Sequence, residues 1–251
     1  MGKGTGTFLD YAFEVGAGGS AIIGPSNTIS GNRGVASDDS TSAGILVTDY
    51  YGTGTNASII GNDISDSTDA IAAGYDGSDN SVVSAHSNKL TNVDHGVNST
   101  HPAVDATQNW WGSSTGPAHA TNPGGAGVAV TDYVDYSPWC TNPECTEFGS
   151  NDPLAEIVLN LNPTAVTLPG SSAVTVTGKD AAGIVRVNDN STQISLIADG
   201  GASFPGGNLI TLVNGVGTSS VTNSVASTVN VTATEVGGAH AATGQVVFST
   251  V

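Results

Sequence analysis

Basic residues are nearly missing from this chain. Its 251 residues hold 5 Lys and Arg against 22 Asp and Glu, a formal net charge of −17 at pH 7. Phosphate binding needs clustered Lys and Arg, so the balance excludes nucleic acid as a partner. It equally excludes an anionic lipid surface. Long apolar runs are missing too. None approaches the roughly 20 residues of a membrane-spanning helix, so no membrane insertion is expected. The stretch MGKGTGTFLDYAFEV carries one Lys, no long apolar region and no small-residue cleavage site, and does not read as a secretory signal. No long window combines Ala, Leu, Glu and Lys with a 3.6-residue period, which excludes long helices.

What remains is a turn-rich, β-forming composition. The 34 glycines accompany abundant Ser, Thr, Asn and Val, while aromatics make up only 6%. The expected class is all-β, with many short strands. The two cysteines, Cys140 and Cys145 in PWCTNPECTEF, are close enough for a local disulfide, which would suit an exported protein. A metal-binding pair is the alternative reading, although no His or further Cys lies near enough in sequence to complete four ligands. Asn-X-Ser/Thr sequons at Asn56, Asn98, Asn190 and Asn230 fit an extracellular setting, and also arise by chance in such a composition.

From Ala21 a loose repeat appears. One element reads Asn-x-Ile/Leu-Ser/Thr, at Asn27–Ser30, Asn62–Ser65 and Asn88–Thr91. A second pairs a small residue with aliphatics, at Gly44-Ile45-Leu46, Ala70-Ile71-Ala72 and Gly96-Val97-Asn98; its starts differ by 70 − 44 = 26 and 96 − 70 = 26. A third, Ala57–Ile60 and Asn80–Val83, completes each unit. No such repeat buries its aliphatic face alone, so the repeats are expected to stack and share a narrow core. The heading Asn is expected to turn a corner in the left-handed region and to bond its stacked neighbours along the ladder. Thr-x-Thr pairs at Thr5/Thr7 and Thr53/Thr55 do not recur repeat by repeat, which discounts an ice-binding face.

The series ends in VDATQNWWGSSTGP, Val104–Pro117, where adjacent indoles stand in for the aliphatic member. Trp110 and Trp111, between Asn109 and Gly112, are read as the lid of the stacked core, because two large aromatics cover much apolar area at one place. Repeats of this kind followed by the Asn-Trp-Trp-Gly stretch and Tyr136-Ser137-Pro138-Trp139 resemble the right-handed parallel β-helix repeat proteins of bacterial and archaeal surfaces. The resemblance covers about residues 20–140 and implies that Asn109, Trp110, Trp111, Gly112 and Trp139 are structural, closing the last coil. Only four or five coils fit before this cap. Further coils, or another subunit, are therefore expected to cover the N-terminal edge, and self-association through that edge is one possible outcome.

Residues 141–155 read as a linker, with two prolines and no period. Alternation then begins at Ile157/Leu159/Leu161, Val166/Leu168 and Val174/Val176, and Ile194/Leu196, Leu209/Leu212, Val216/Val221, Val229/Val231 and Val246/Phe248 continue the series. That rhythm is the size of an immunoglobulin-like sandwich. PTAVTLPGSSAVTVTGKDAAG and the segments after it resemble the Ig-like modules of invasin and intimin adhesins, which implies a spacer or display role. The expected organisation is a β-helix over 1–140, a linker with its disulfide loop over 141–155, and an Ig-like domain over 156–251.

Candidate chemistry is sparse. A lyase would need a base such as Arg33 or Lys89. A glycoside hydrolase would need facing carboxylates roughly 5–9.5 Å apart, with Asp63, Asp76 and Asp79 as candidates. Asp63, Asp66 and Asp69 recur at period 3, which does not place them on one face of a strand; turn roles suit them better. DGSDN suggests calcium at Asp76, Asp79 and Asn80, although it lacks an EF-hand's bidentate Glu. His86, His95 and His101 are irregularly spaced and read as surface residues. The functional expectation is a secreted or cell-surface module that displays one face to polysaccharide or matrix glycan and has no catalytic set. The alternative is a lyase or hydrolase fragment with an accessory Ig-like domain, marked by convergence of Asp63, Asp76 or Asp79 with Lys89 or Arg33 in one groove.

Overall fold

The computed structural model describes residues 9–37 and 39–251; Thr5 and Thr7 lie outside them. The described residues are all β, with no helix, and they divide into two compact units, Met1–Gly149 and Ser150–Val251.

In the N-terminal unit consecutive strands do not pair until the end of the unit, where Pro117–Ala118 pairs with Gly127–Val130 and Trp139–Cys140 with Phe148–Gly149. The strands before these pair in parallel with the strand three places further on, which sorts them into three sheets. The first sheet runs Tyr11–Val15, Ala43–Val47, Asp69–Ala73, His95–Ser99 and Gly127–Val130, with Pro117–Ala118 at its edge. The second runs Ser20–Ile23, Asn56–Ile60, Val82–His86, Val104–Asp105 and Val134–Asp135. The third holds Thr28–Ser30, Asp63–Ser65 and Lys89–Thr91. Like residues therefore stack on like. Ile45, Ile71 and Val97 form one register column, Ile29, Ile64 and Leu90 another, and all of these are buried. Since each repeat adds the same apolar side chains, burial grows by accretion.

The small residues at Gly44, Ala70 and Gly96 have a steric cause. A Cβ on Gly44 would stand 2.7 Å from Ile64 Cγ2, and one on Gly96 would stand 2.7 Å from the Trp111 ring. The third sheet's side chains thus reach across the interior and leave no room opposite.

The asparagines stack as expected. Asn27 Nδ2 donates to Asn62 Oδ1 at 2.9 Å, Asn62 Nδ2 to Asn88 Oδ1 at 3.0 Å, and Asn88 Nδ2 to Asn109 Oδ1 at 3.0 Å. Asn62, Asn88 and Asn109 also donate inward to backbone carbonyls, those of Ile23, Ile59 and Ala85. The corner conformation expected of the asparagines falls instead on the residue before each: Ser26, Gly61, Ser87 and Gln108 have φ of 72°, 65°, 56° and 59°. The asparagine's contribution is its amide, which satisfies buried backbone groups at the bend.

At the far end Lys89 bridges to Trp110 in parallel, which places Trp111 next in the column after Leu90, fully buried. Trp139 is buried as well, donates from Nε1 to Ser114 O at 3.0 Å, and lies against Gly116, where a Cβ would come within 2.6 Å of the ring. Cys140 and Cys145 are disulfide-bonded, beside the short antiparallel pair Trp139–Cys140 and Phe148–Gly149.

The C-terminal unit is built differently. One sheet pairs Glu156–Asn162, Ser171–Lys179 and Val216–Thr222, all antiparallel. The other orders Ala165–Thr167, Ala241–Ser249, Ser227–Glu235, Gln193–Ala198 and Leu209–Thr211, antiparallel except for its first pair. Ile157, Val174, Val176, Ile194, Leu196, Val229, Val231 and Phe248 form one core, as the alternation requires. Leu209 differs: it is exposed on an edge strand, while Leu212 takes the core position. In the Lys179–Gly183 turn, Asp180 Oδ1 accepts the amides of Ala182 and Ile184, each at 2.9 Å, and Gly183 takes φ 79°.

Candidate functional site

The acidic and basic candidates do not gather. Asp63 and Lys89 are register neighbours on the third sheet, with Nζ 3.3 Å from Oδ2 and both side chains about half exposed. Arg33 lies at the corner between the third and first sheets, 3.9 Å from Asp66 Oδ1, and donates to Asn92 O at 3.1 Å. Asp76, Asp79 and Asn80 lie on the turn between the first and second sheets. Asp76 is exposed and accepts from the Ser78 amide at 2.7 Å and the Ser78 hydroxyl at 2.6 Å. Those bonds hold its carboxyl below the ordinary value of 3.8. Asn80 Nδ2 donates to Ser78 O at 2.8 Å. Among the described residues no group of three or more His, Cys, Asp or Glu is placed to hold a metal ion.

Asp79 has a different part. It is fully buried; Oδ2 accepts from Thr48 Oγ1 and the Asp49 amide, both at 2.8 Å, and Oδ1 accepts from the Ser81 amide at 2.9 Å. Burial pushes its pKa up, but the bonds from Ser81, Asp49 and Thr48 outweigh it and hold the group below 3.8. The Asp79 carbonyl also pairs with His101 Nδ1 at 3.0 Å. One residue thereby ties together the turns of three successive repeats.

Those turns carry a feature that none of the sequence-derived candidates includes. Tyr50 and Tyr51 follow the strand Ala43–Val47, Tyr75 follows Asp69–Ala73, His101 follows His95–Ser99, and Tyr133 follows Gly127–Val130. The tyrosines stand in solvent: Tyr50 is 62% exposed, Tyr51 67%, Tyr75 43% and Tyr133 56%. Ring contacts join the row in two groups, Tyr50 with Tyr51 and Tyr75, and His101 with Tyr133. Tyr50 packs edge-to-face on Tyr51 at 4.9 Å and on Tyr75 at 5.1 Å, and His101 lies 5.7 Å from Tyr133. The turn that carries Tyr50 and Tyr51 is closed by Asp49 Oδ1, which accepts the Thr55 amide at 2.9 Å. The row is therefore a pre-set aromatic edge. Its signal in the sequence is the phase of DYYG, GYDG and TDYV, each just past a first-sheet strand.

A second cluster sits on the first sheet. Asp69 is fully buried; its Oδ1 faces His95 Nδ1 at 2.9 Å, and its Oδ2 accepts from Asn98 Nδ2 at 2.9 Å and from the Thr41 hydroxyl. The bond to Asp69 raises the His95 pKa above 6.5.

No protein-family model matches the sequence, and no curated protein matches it. Solved structures with partial likeness include a glycosyl hydrolase family 2 member from Bacteroides cellulosilyticus, with 19% identity over 40% of this chain and 15% of that one, at a TM-score of 0.35. They also include the β-glucuronidase of Parabacteroides merdae, with 16% identity over 38% of this chain and 12% of that one, at a TM-score of 0.33. A β-glycosidase from Bacteroides vulgatus shows 12% identity over 45% and 18%, at a TM-score of 0.35. The chain spans less than a fifth of each of these enzymes. A likeness at that level carries no argument about this chain's fold or chemistry.

Proposed function

We propose that this chain is a non-catalytic glycan-binding module of a secreted or cell-surface protein, and that the tyrosine row is its contact surface. The supporting observation is the row itself. Exposed Tyr50, Tyr51 and Tyr75 stand on two successive turns anchored through Asp79, with His101 and Tyr133 on the next two, and the tyrosines present apolar ring faces with polar tips. Sugar rings offer the matching surface, apolar on their C–H faces and hydroxylated at their rims. In this reading the N-terminal unit is a short right-handed parallel β-helix, supported by its three parallel sheets and Asn ladder, and the C-terminal unit is an Ig-like sandwich that spaces it from its support. The Cys140–Cys145 bridge favours an oxidising location.

The test is co-sedimentation of the full chain with insoluble polysaccharides, paired with calorimetric titration of soluble oligosaccharides. Tyr50→Ala with Tyr75→Ala should abolish retention and leave the circular dichroism spectrum unchanged. Retention by the double variant would overturn the assignment of the surface.

A second reading, a carbohydrate-active enzyme fragment, is favoured by one arrangement. The buried Asp69 carboxylate orients the half-exposed His95 as a general base is oriented. Release of reducing ends or unsaturated uronates, lost in His95→Ala, would make that reading primary.

A further inference from the structure

This inference deepens the glycan-binding reading and rests on it. We infer that the glycan taken by the tyrosine row carries primary ammonium groups, as an amino-sugar chain does, rather than being neutral or uronic.

The argument begins at the central turn. Tyr75 Oη lies 3.1 Å from Ser78 Oγ, and Ser78 Oγ donates to Asp76 Oδ1 at 2.6 Å. An exposed aromatic ring and an exposed carboxylate are thus held on one tight turn through a single hydroxyl. Asp76 remains ionised well into acid, since the side-chain and backbone bonds from Ser78 lower its pKa. A second carboxylate, Asp132, lies beside Tyr133 in sequence, with its side chain 88% exposed and its Oδ1 3.2 Å from His119 Nε2.

The described basic side chains of this unit are engaged elsewhere, Arg33 with Asp66 and Lys89 with Asp63. A uronate would therefore meet carboxylates with no Lys or Arg on this edge to answer it, only the imidazoles of His101, beside Tyr133, and His119, already paired with Asp132. An ammonium group meets both of its preferred partners, a ring face and a carboxylate, side by side. The chain's net charge of −17 adds a long-range field that concentrates cations and repels polyanions.

The experiment titrates the full chain with three oligosaccharides of equal length: glucosamine oligomers, their N-acetylated form, and galacturonate oligomers, each at low and high salt. The glucosamine form should bind about ten-fold tighter than the acetylated form, as expected when one exposed ion pair and one cation–π contact are added. Added salt should erode that margin, and galacturonate should not bind. Asp76→Asn should bring the glucosamine form down to the acetylated level, while Tyr50→Ala with Tyr75→Ala should lose both. Equal binding of the two glucosamine forms, unmoved by Asp76→Asn, would overturn the inference and leave the glycan reading standing. No binding of any oligosaccharide would overturn both. A lysine oligomer that binds as tightly and survives the double tyrosine variant would also overturn it, because charge alone would then account for the affinity.

Discussion

The two units place their buried polar side chains differently: in the C-terminal unit Asp180 and Asp189 are buried in turns, where they accept backbone amides outside the apolar core. In the C-terminal unit the core is aliphatic plus Phe248, and its strands satisfy one another through antiparallel pairing. In the N-terminal unit the interior contains a column of side-chain amides, Asn62, Asn88 and Asn109, all buried, running beside the aliphatic columns. The difference follows from topology. A hairpin reverses direction in solvent, whereas a chain that turns corner after corner around one core carries bent backbone into the interior, and that backbone needs partners there. The N-terminal unit should therefore be sensitive to polar substitutions that the C-terminal unit tolerates.

The largest test of this contrast is Trp111→Ala. Emptying a fully buried indole site at the end of the stack should cost about 3–5 kcal/mol. Differential scanning calorimetry should show one transition falling while the other stays in place. A single unmoved transition would break the comparison. Phe248→Ala should cost a similar amount, about 3–5 kcal/mol, from the other transition; if both variants lower the same transition, the units do not melt separately.

Asn88→Ala comes next. It strands the Ile59 carbonyl and the partners on Asn62 and Asn109, for an expected cost of about 2–3 kcal/mol in urea unfolding. Asn230→Ala in the C-terminal unit removes two exposed side-chain bonds, to Asp199 Oδ2 and from Gln245 Nε2, and should cost less than about 1 kcal/mol. Equal costs would remove the distinction between the units.

The smallest effect is a pH dependence. The folded His95 pKa is raised above 6.5 by Asp69, with Asp94 adding to it. Its stabilisation should be complete below pH 6.5 and be lost as pH rises through the folded value. His95→Gln should flatten the fall in melting temperature across that window; an unchanged slope would remove His95 as its source.

The sequence discloses these units unequally, for physical reasons. Each of the eight apolar segments of the C-terminal unit marks a strand, most clearly where period 2 holds, as at Ile157/Leu161, Val174/Val176, Val229/Val231 and Val246/Phe248, because a single apolar face enforces it there. The 26-residue recurrence at Gly44, Ala70 and Gly96 is visible because Ile64 and Trp111 leave no space for a Cβ at Gly44 and Gly96. The tyrosine row is hidden because its turns shorten along the chain, from 48–55 and 74–81 to 100–103 and 131–133, so its members keep phase with the strands and not with one another. Asp79 is misleading for a related reason. An acid in a Gly/Ser/Asp turn reads the same in sequence whether its oxygens face solvent or, as here, the amides of neighbouring turns.

The amide column also has a consequence for how such a molecule changes over evolutionary time. Each asparagine bonds to the equivalent residue of the next repeat, so the pitch between repeats is fixed at one strand spacing, about 4.8 Å. A duplicated repeat would insert one more rung without disturbing the others, and one more turn with it. Copy number then acts as a ruler: it lengthens the row of turns in equal steps, and on the proposed glycan-binding reading it would raise avidity with no new kind of contact.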